Sequence, residues 1–349
     1  MALIEAQDLT KVFRRADKKP GLTGAVANLF SRRFIEKTAV DHVNLSIDAG
    51  EAVAYVGPNG AGKSTTVKLL SGILEPTSGE VRIGGVVPQR NRMAVANQIG
   101  VLFGQRTQLW WDLPVADSLV ALREIYGVDA ATYAKRLAYF DEVLEIGELM
   151  AVTARKLSLG QRMRADLAAA LIHGPRVVYL DEPTIGLDMM VRERVREFFR
   201  KLRDDGTTIM LTSHDLADIE GICRRLVIID QGRIVLDRDL EAVKDEFARE
   251  RILHVQTATP VDLEDLRHAL PQATELTTGP GPLSLTIRFD RFTLAAGAAV
   301  AGVSRFGDIV DFRLDEPGIE DVIRRAYAGE LGREPDPQER PQERESSLR

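Results

Sequence analysis

One cysteine, two tryptophans and an aromatic share of 6% are what this 349-residue chain has least of. The single thiol, Cys223, excludes an internal disulfide framework and a cysteine-built metal site, and it suits a reducing compartment. No stretch reaches about 18 uninterrupted apolar residues, so no segment reads as a bilayer span. The run LAAGAAVAGV, residues 294–303, is about half the needed length. The start, MALIEAQDL, lacks a basic region followed by an apolar run and does not read as a signal peptide. Positive charge is not in excess either. Lys+Arg of 46 against Asp+Glu of 52 gives a net charge of −6, which argues against a nucleic-acid partner held by bulk charge. There is no internal repeat. What remains is ordinary for a folded soluble protein, with 44% apolar and 28% charged residues. The length suffices for one large domain and a small one.

Short apolar strands alternate with helical patterns up to about residue 236. EAVAYVG, IGVLFG, RVVYLD, TTIMLTS and RLVIID read as compact buried strands, and segments such as VRERVREFFRKLRDD as helices between them. This alternation predicts a mainly parallel sheet covered by helices. Residues 14–38 interrupt it. They carry seven basic and two acidic residues, with Leu22, Val26, Leu29 and Phe30 at helical spacing. Two readings stand: a surface insertion with a solvated basic face, or an amphipathic piece that touches a membrane surface or a membrane partner.

Beyond residue 240 the pattern changes. LSLTIRF places Leu283, Leu285, Ile287 and Phe289 on one face, and Val310, Phe312 and Leu314 alternate likewise. VDLEDLRHAL and GIEDVIRRAYAG read as helices. The expectation is a small α+β domain over 241–330, with a ferredoxin-like arrangement as one form of it. Residues 331–349, proline-punctuated and charged, are expected to be disordered.

Two motifs carry chemistry. GPNGAGKST, residues 57–65, follows a strand and opens a helix, and fits G-x-x-x-x-G-K-[ST] at every fixed position. Gly57, Gly60 and Gly62 let the backbone of Pro58, Asn59 and Ala61 wrap phosphate oxygens. Amides at the helix start face the anion, Lys63 reaches the outer phosphates, and Ser64, followed by Thr65, offers a hydroxyl to Mg²⁺. RVVYLDEPT ends an apolar strand in adjacent carboxylates. Alternation along the strand points them apart. Asp181 is then placed to orient Mg²⁺, and Glu182 to act as general base on water.

Four further stretches, in order, make residues 1–240 resemble the ATP-binding subunit of an ABC transporter: a P-loop NTPase with a mainly parallel sheet, an antiparallel β part and a helical subdomain. The resemblance implies that Phe13, in LTKVFRR, stacks on adenine, with a core phenylalanine as the other reading. It implies that Gln105, in VLFGQRTQLWWDLPV, reaches Mg²⁺ and the γ-phosphate in a loop facing the membrane subunit. Trp110 and Trp111 follow that loop and serve either docking or core packing. IGLD resembles the family's D-loop, with Asp188 at the boundary of two nucleotide sites. His214, in LTSHDLADIE, corresponds to the switch histidine.

LSLGQ, residues 157–161, resembles the family signature LSGGQ with leucine in place of the first glycine. Ser158, Gly160 and Gln161 are retained. Leu159 fits provided that it has negative φ near a helix start and a side chain turned from the nucleotide. Since the family's signature contacts nucleotide on the opposite subunit, a second copy or a close paralogue must close two ATP sites head to tail. Permease subunits are then separate membrane chains, and this one sits peripherally on the inner face of the cell membrane. LSLGQRMR, the GQRTQLWWDLP loop and the basic insert together resemble a bacterial exporter-type subgroup. A soluble ABC-type ATPase of a non-transport machine is the alternative. It lacks support here, because only one cassette is present and no heptad array separates the motifs.

Overall fold

The structure is a computed structural model and describes residues 2–16, 34–103, 107–247, 249–279, 281, 283–315 and 319–327. The chain divides into two compact units, Met1–Val243 and Lys244–Arg349. The first unit opens with Ala2–Ala16 (β1), Phe34–Asp48 (β2), Ala52–Val56 (β3), Lys63–Leu70 (α1), Ser78–Ile83 (β4), Arg92–Ala96 (α2) and Ile99–Phe103 (β5). Val115–Tyr126 (α3), Ala130–Leu144 (α4) and Leu159–Leu171 (α5) follow. It continues with Val177–Asp181 (β6), Met189–Asp204 (α6), Thr208–Thr212 (β7), Leu216–Ile222 (α7), Arg225–Asp230 (β8) and Arg233–Asp239 (β9). Leu240–Phe247 (α8) comes next.

Six strands form the central sheet in the order β5-β6-β7-β3-β8-β9. All neighbours are parallel except β9, which runs antiparallel to β8. Every residue of β3 and β7 is buried, as in a parallel sheet covered on both faces. A separate antiparallel sheet, ordered β2-β1-β4, shares its core with the central one through Leu9, Ile47, Tyr55, Val67 and Tyr179. β1 and β2 pair as far as Ala16 with Phe34, and within this stretch Arg14 lies opposite Glu36 and binds it at 2.8 Å. The expected insert at 14–38 is therefore narrower: 14–16 and 34–38 are strand. Its amphipathic centre, Leu22 to Phe30, lies outside the described residues. Helices α3 and α4 each pack on α5, forming a helical layer. On α6, Val195, Phe198 and Phe199 are buried at helical spacing, and Phe198 meets Phe140 of α4 edge to face at 6.2 Å.

The parallel order brings the C-terminal ends of β3, β6 and β7 side by side. That edge is where loops of open α/β sheets hold ligands. The phosphate loop leaves β3, the acid pair leaves β6 and the switch loop leaves β7.

The second unit comprises Glu250–Thr257 (β10), Leu263–Ala269 (α9), Ala273–Thr278 (β11), Ser284–Asp290 (β12), Ala296–Val303 (α10), Ile309–Asp315 (β13) and Ile319–Tyr327 (α11). Its βαββαβ run and antiparallel order β11-β12-β10-β13 are the ferredoxin-like arrangement. Leu285, Ile287 and Phe289 are buried as the alternation requires. Val310 and Phe312 are not: they are 65% and 54% exposed. β13 is an edge strand, and its register shifts against Gln256 and Thr257, so Ile309 and Leu314 are the residues that meet the core. Phe312 lies opposite buried Val255, yet at an edge with neighbouring strand on one side only.

Candidate functional site

Gly57 and Gly62 of the phosphate loop are dictated by close approach. A β-carbon on Gly57 would lie 2.2 Å from the Ile229 carbonyl oxygen. Gly62 caps α1 with φ of 115°, and a β-carbon there would lie 2.4 Å from the Ala39 carbonyl oxygen. The Ala61 amide donates to the Pro58 carbonyl at 3.1 Å and closes the turn. Lys63 Nζ donates to the carbonyls of Gly57 and Pro58, at 2.5 and 3.3 Å, so its ammonium is held over the loop. Burial pulls the Lys63 pKa down, and the carboxylates of Glu182 and Asp181 oppose that shift. Asn59, Gly60, Ser64 and Thr65 line the cleft above.

Asp181 is the last residue of β6, and its Oδ1 accepts from the Thr212 hydroxyl on β7. Glu182 has φ of 54°, a left-handed conformation rare for a residue with a β-carbon. Such backbone outliers concentrate where function over-determines the chain. Glu182 lies just past the end of β6, so strand alternation does not by itself set the direction of its side chain. Glu182 Oε1 lies 3.5 Å from His214 Nε2, and the His214 amide lies 3.5 Å from Glu182 Oε2. Burial is the largest influence on Glu182 and raises its pKa, with His214 acting in the opposite sense.

These groups share one cleft of about 1020 Å³, lined by Lys63, Ser64, Asp181, Glu182 and His214, with Phe13 among the lining residues. Phe13 is 42% exposed, and Lys11 Nζ lies 5.5 Å from its ring centroid. The ring is available for stacking and is not a core residue. Gln105 lies outside the described residues. Ser158, Gly160, Gln161 and Asp188 do not line this cleft. Ser158 instead caps α5 in a reciprocal capping box: its Oγ accepts from the Gln161 amide at 3.2 Å, and Gln161 Oε1 accepts from the Ser158 amide at 2.9 Å. The Ser158 hydroxyl is exposed and keeps its proton to donate. Asp188 caps α6 and accepts from the Val191 amide at 3.0 Å.

Leu159 is the first residue of α5 and is not among the left-handed residues. Its side chain lies against the D-loop. A β-carbon on Gly186, which has φ of 75°, would fall 2.5 Å from Leu159 Cδ2 and 2.8 Å from Cγ. One on Gly160 would fall 2.9 Å from the Gly186 carbonyl oxygen. Signature and D-loop therefore touch within one chain.

The sequence reading missed Asp218. It is fully buried on α7 and accepts from Thr184 Oγ1 at 2.5 Å, Ser213 Oγ at 3.1 Å and Arg196 Nε at 2.6 Å. It thereby joins the loop after Glu182, the loop before His214 and helix α6. An acid sharing its helix face with Ile219 and Ile222 was the available signal.

Together the strand–loop–helix, the acid pair and the capped signature define a P-loop nucleotide-hydrolysing cassette. A profile of the ABC transporter family matches residues 40–185, which span the phosphate loop, the signature and the acid pair. The ABC transporter ATP-binding protein NatA of Bacillus subtilis (strain 168) is 30% identical over 229 residues, 64% of this chain and 93% of that one. The daunorubicin resistance ATP-binding protein DrrA3 of Streptomyces coeruleorubidus is 34% identical over 221 residues, 63% of this chain and 70% of that one. Among solved structures, an ATP-binding subunit of an ABC transporter superposes with a TM-score of 0.60 at 26% identity, over 70% of this chain and 93% of that one. A dimeric ATP-binding cassette bound to ADP and phosphate in a post-hydrolysis state superposes with a TM-score of 0.57 at 25% identity, over 68% and 98%. The chain belongs to the ABC transporter family and is one of its ATP-binding, ATP-hydrolysing subunits.

Proposed function

We propose that this chain energises export by separate permease subunits, as one half of an ATP-closed pair of cassettes. The observation that carries the reading is the meeting of Lys63, Ser64, Asp181, Glu182 and His214 in one cleft whose lining does not include Ser158 or Gly160 of the signature. A site that lacks its own signature is completed by a second copy related by a two-fold axis. Ile185, Leu159, Met189 and Met190 are exposed around the signature and D-loop. That is an apolar, methionine-rich surface suited to association.

In this reading the loop amides and Lys63 bind the β- and γ-phosphates of ATP, and Phe13 stacks on the base. Mg²⁺ fits the donor set, since Ser64 and Asp181 offer oxygen only. Among the described residues no group of three or more His, Cys, Asp or Glu would hold an ion by protein alone. When bound, the ion neutralises charge on the phosphates. Glu182 takes a proton from the attacking water, for which a raised pKa is suitable. His214, in contact with Glu182, positions that water. Ser158 and the Gly160 amide of the partner subunit complete the γ-phosphate site, with Gln105 as a further polar contact. Hydrolysis removes the bridging charge, and the pair reopens.

Permease coupling is proposed at the loop of Trp110 and Trp111, both exposed. The relatives' names, among them Nod factor export and daunorubicin resistance proteins, support export. Among the described residues no helix is long and apolar enough to cross a membrane. A peripheral position beside separate membrane chains is the corresponding reading. Its test is purification of the tagged chain from its own membranes in mild detergent. Recovery with a multi-spanning protein that raises ATP turnover supports it. Recovery alone, with turnover indifferent to membrane fractions, contradicts it.

A further inference from the structure

Asp166 lies in the signature helix α5, about two turns beyond Ser158. Its side chain is buried, with the residue 5% exposed. Nothing in the phosphate chemistry above uses it. Its Oδ1 accepts two hydrogen bonds from one short stretch of chain: Thr107 Oγ1 at 2.8 Å and the Gln108 amide at 2.8 Å. Thr107 Oγ1 also accepts from the Leu109 amide at 3.1 Å, which locks the turn. Gln108 Nε2 reaches the Val101 carbonyl on β5, and the Trp110 amide donates to Ser118 Oγ on α3 at 3.2 Å. Residues 107–110 are thus tied to three elements, and directly beyond the tie Trp110 and Trp111 are 41% and 52% exposed.

A carboxylate in this place has a cost. Burial raises the Asp166 pKa, and the bonds from Gln108 and Thr107, with Arg162 and the Leu109 amide contributing less, act against that. An apolar residue would fill the same space without the penalty. What the carboxylate supplies is directional: one oxygen holds the loop to the helix.

We propose that Asp166 is a positioning residue that fixes the Trp110–Trp111 loop to the signature helix, so that loop and Ser158 move as one body. A displacement of the loop by whatever docks on it then alters where Ser158 meets the partner subunit's nucleotide, and closure of the pair shifts the loop in turn. This rests on the head-to-tail reading given above.

The chain contains its own reporter, because Trp110 and Trp111 are its only tryptophans. The experiment uses full-length protein carrying Glu182→Gln, titrated with MgATP. Dimer formation is followed by sizing, and the loop by tryptophan emission and acrylamide quenching. The expected result is a tryptophan response that tracks dimer formation in the parent. Asp166→Ala should reduce that response by about fivefold or more. The ATP concentration for dimer formation should stay within about threefold. Asp166→Asn keeps an acceptor oxygen and should retain most of the response, which a role in helix stability alone would not predict. Thr107→Val removes one of the two bonds and should reduce the response in part; it serves where Asp166→Ala does not fold. A full response in Asp166→Ala, an unchanged one in Thr107→Val, or dimer formation in the parent without any tryptophan response overturns the proposal. Failure of the parent to dimerise with ATP would instead overturn the head-to-tail reading, and this inference with it.

Discussion

Gly186→Ala tests the contact between signature and D-loop. At φ of 75° an alanine pays the left-handed penalty of about 1–2 kcal/mol. Its β-carbon would also sit 2.5 Å from Leu159 Cδ2 and 2.8 Å from Cγ, so one of the two must move. Overpacking of this kind costs about 1–3 kcal/mol. The lower end applies, because Leu159 is 44% exposed and its side chain can swing outward. The single substitution should therefore cost about 2–3 kcal/mol, the sum of the two terms. Leu159→Ala alone removes a half-exposed contact and should cost about 0.5–1 kcal/mol. In the double variant the clash disappears, and the left-handed penalty and the lost Leu159 contact persist. The two changes should then be less than additive by about 1 kcal/mol or more. Urea midpoints of the four proteins, followed on the transition of the first unit, measure this. ATP turnover should follow the same order, with Gly186→Ala partly restored by Leu159→Ala. An equal loss from Gly186→Ala in both backgrounds would show that strain alone is at work, and that Leu159 does not seat on the D-loop.

Four other outcomes follow from the site. Burial raises the Glu182 pKa, so turnover should fall on acidification at a pH above the ordinary glutamate range. The folded chain holds that proton more tightly than the unfolded one, so this group's stabilising contribution is present below the unfolded pKa and lost as pH rises through the folded one. Glu182→Gln should accordingly raise the melting temperature at pH 7 by a few degrees at most, and the gain should shrink towards pH 4. Phe13→Ala should raise KM for ATP by about three- to tenfold with kcat nearly unchanged, as expected when a stacking contact common to ground and transition states is lost. Asp218→Ala leaves Arg196 without its buried partner and two hydroxyls without an acceptor. It should cost about 3–5 kcal/mol in urea unfolding, with Asp218→Asn costing less because an acceptor remains.

Motifs whose chemistry depends on adjacent residues were legible in the sequence. The phosphate loop from Gly57 to Thr65 lies where a strand turns into a helix, and both neighbours could be read from apolar pattern alone. The Ser158–Gln161 capping box is equally local. Partners far apart in sequence were not legible. Leu159 could be seen to replace a glycine, but its seat on Gly186 depends on a loop beyond β6. Asp166 and Asp218 appear in the sequence only as acids within helices; their donors come from the loop after β5 and from the segments that follow β6 and β7. Alternation misplaced Val310 and Phe312, because it reports which face a residue points to and not whether an edge strand has anything covering that face.

The proposed function turns on Glu182 as the group that activates water in a site closed by two chains. The direct measurement is single- and multiple-turnover ATP hydrolysis by Glu182→Gln, with sizing in MgATP. Loss of the general base should lower kcat by about 10²–10⁴-fold. Binding by the phosphate loop should persist, and a dimer that retains ATP should accumulate. Turnover like that of the parent would contradict Glu182 as the base, and a chain that remains monomeric with ATP bound would contradict closure by two chains.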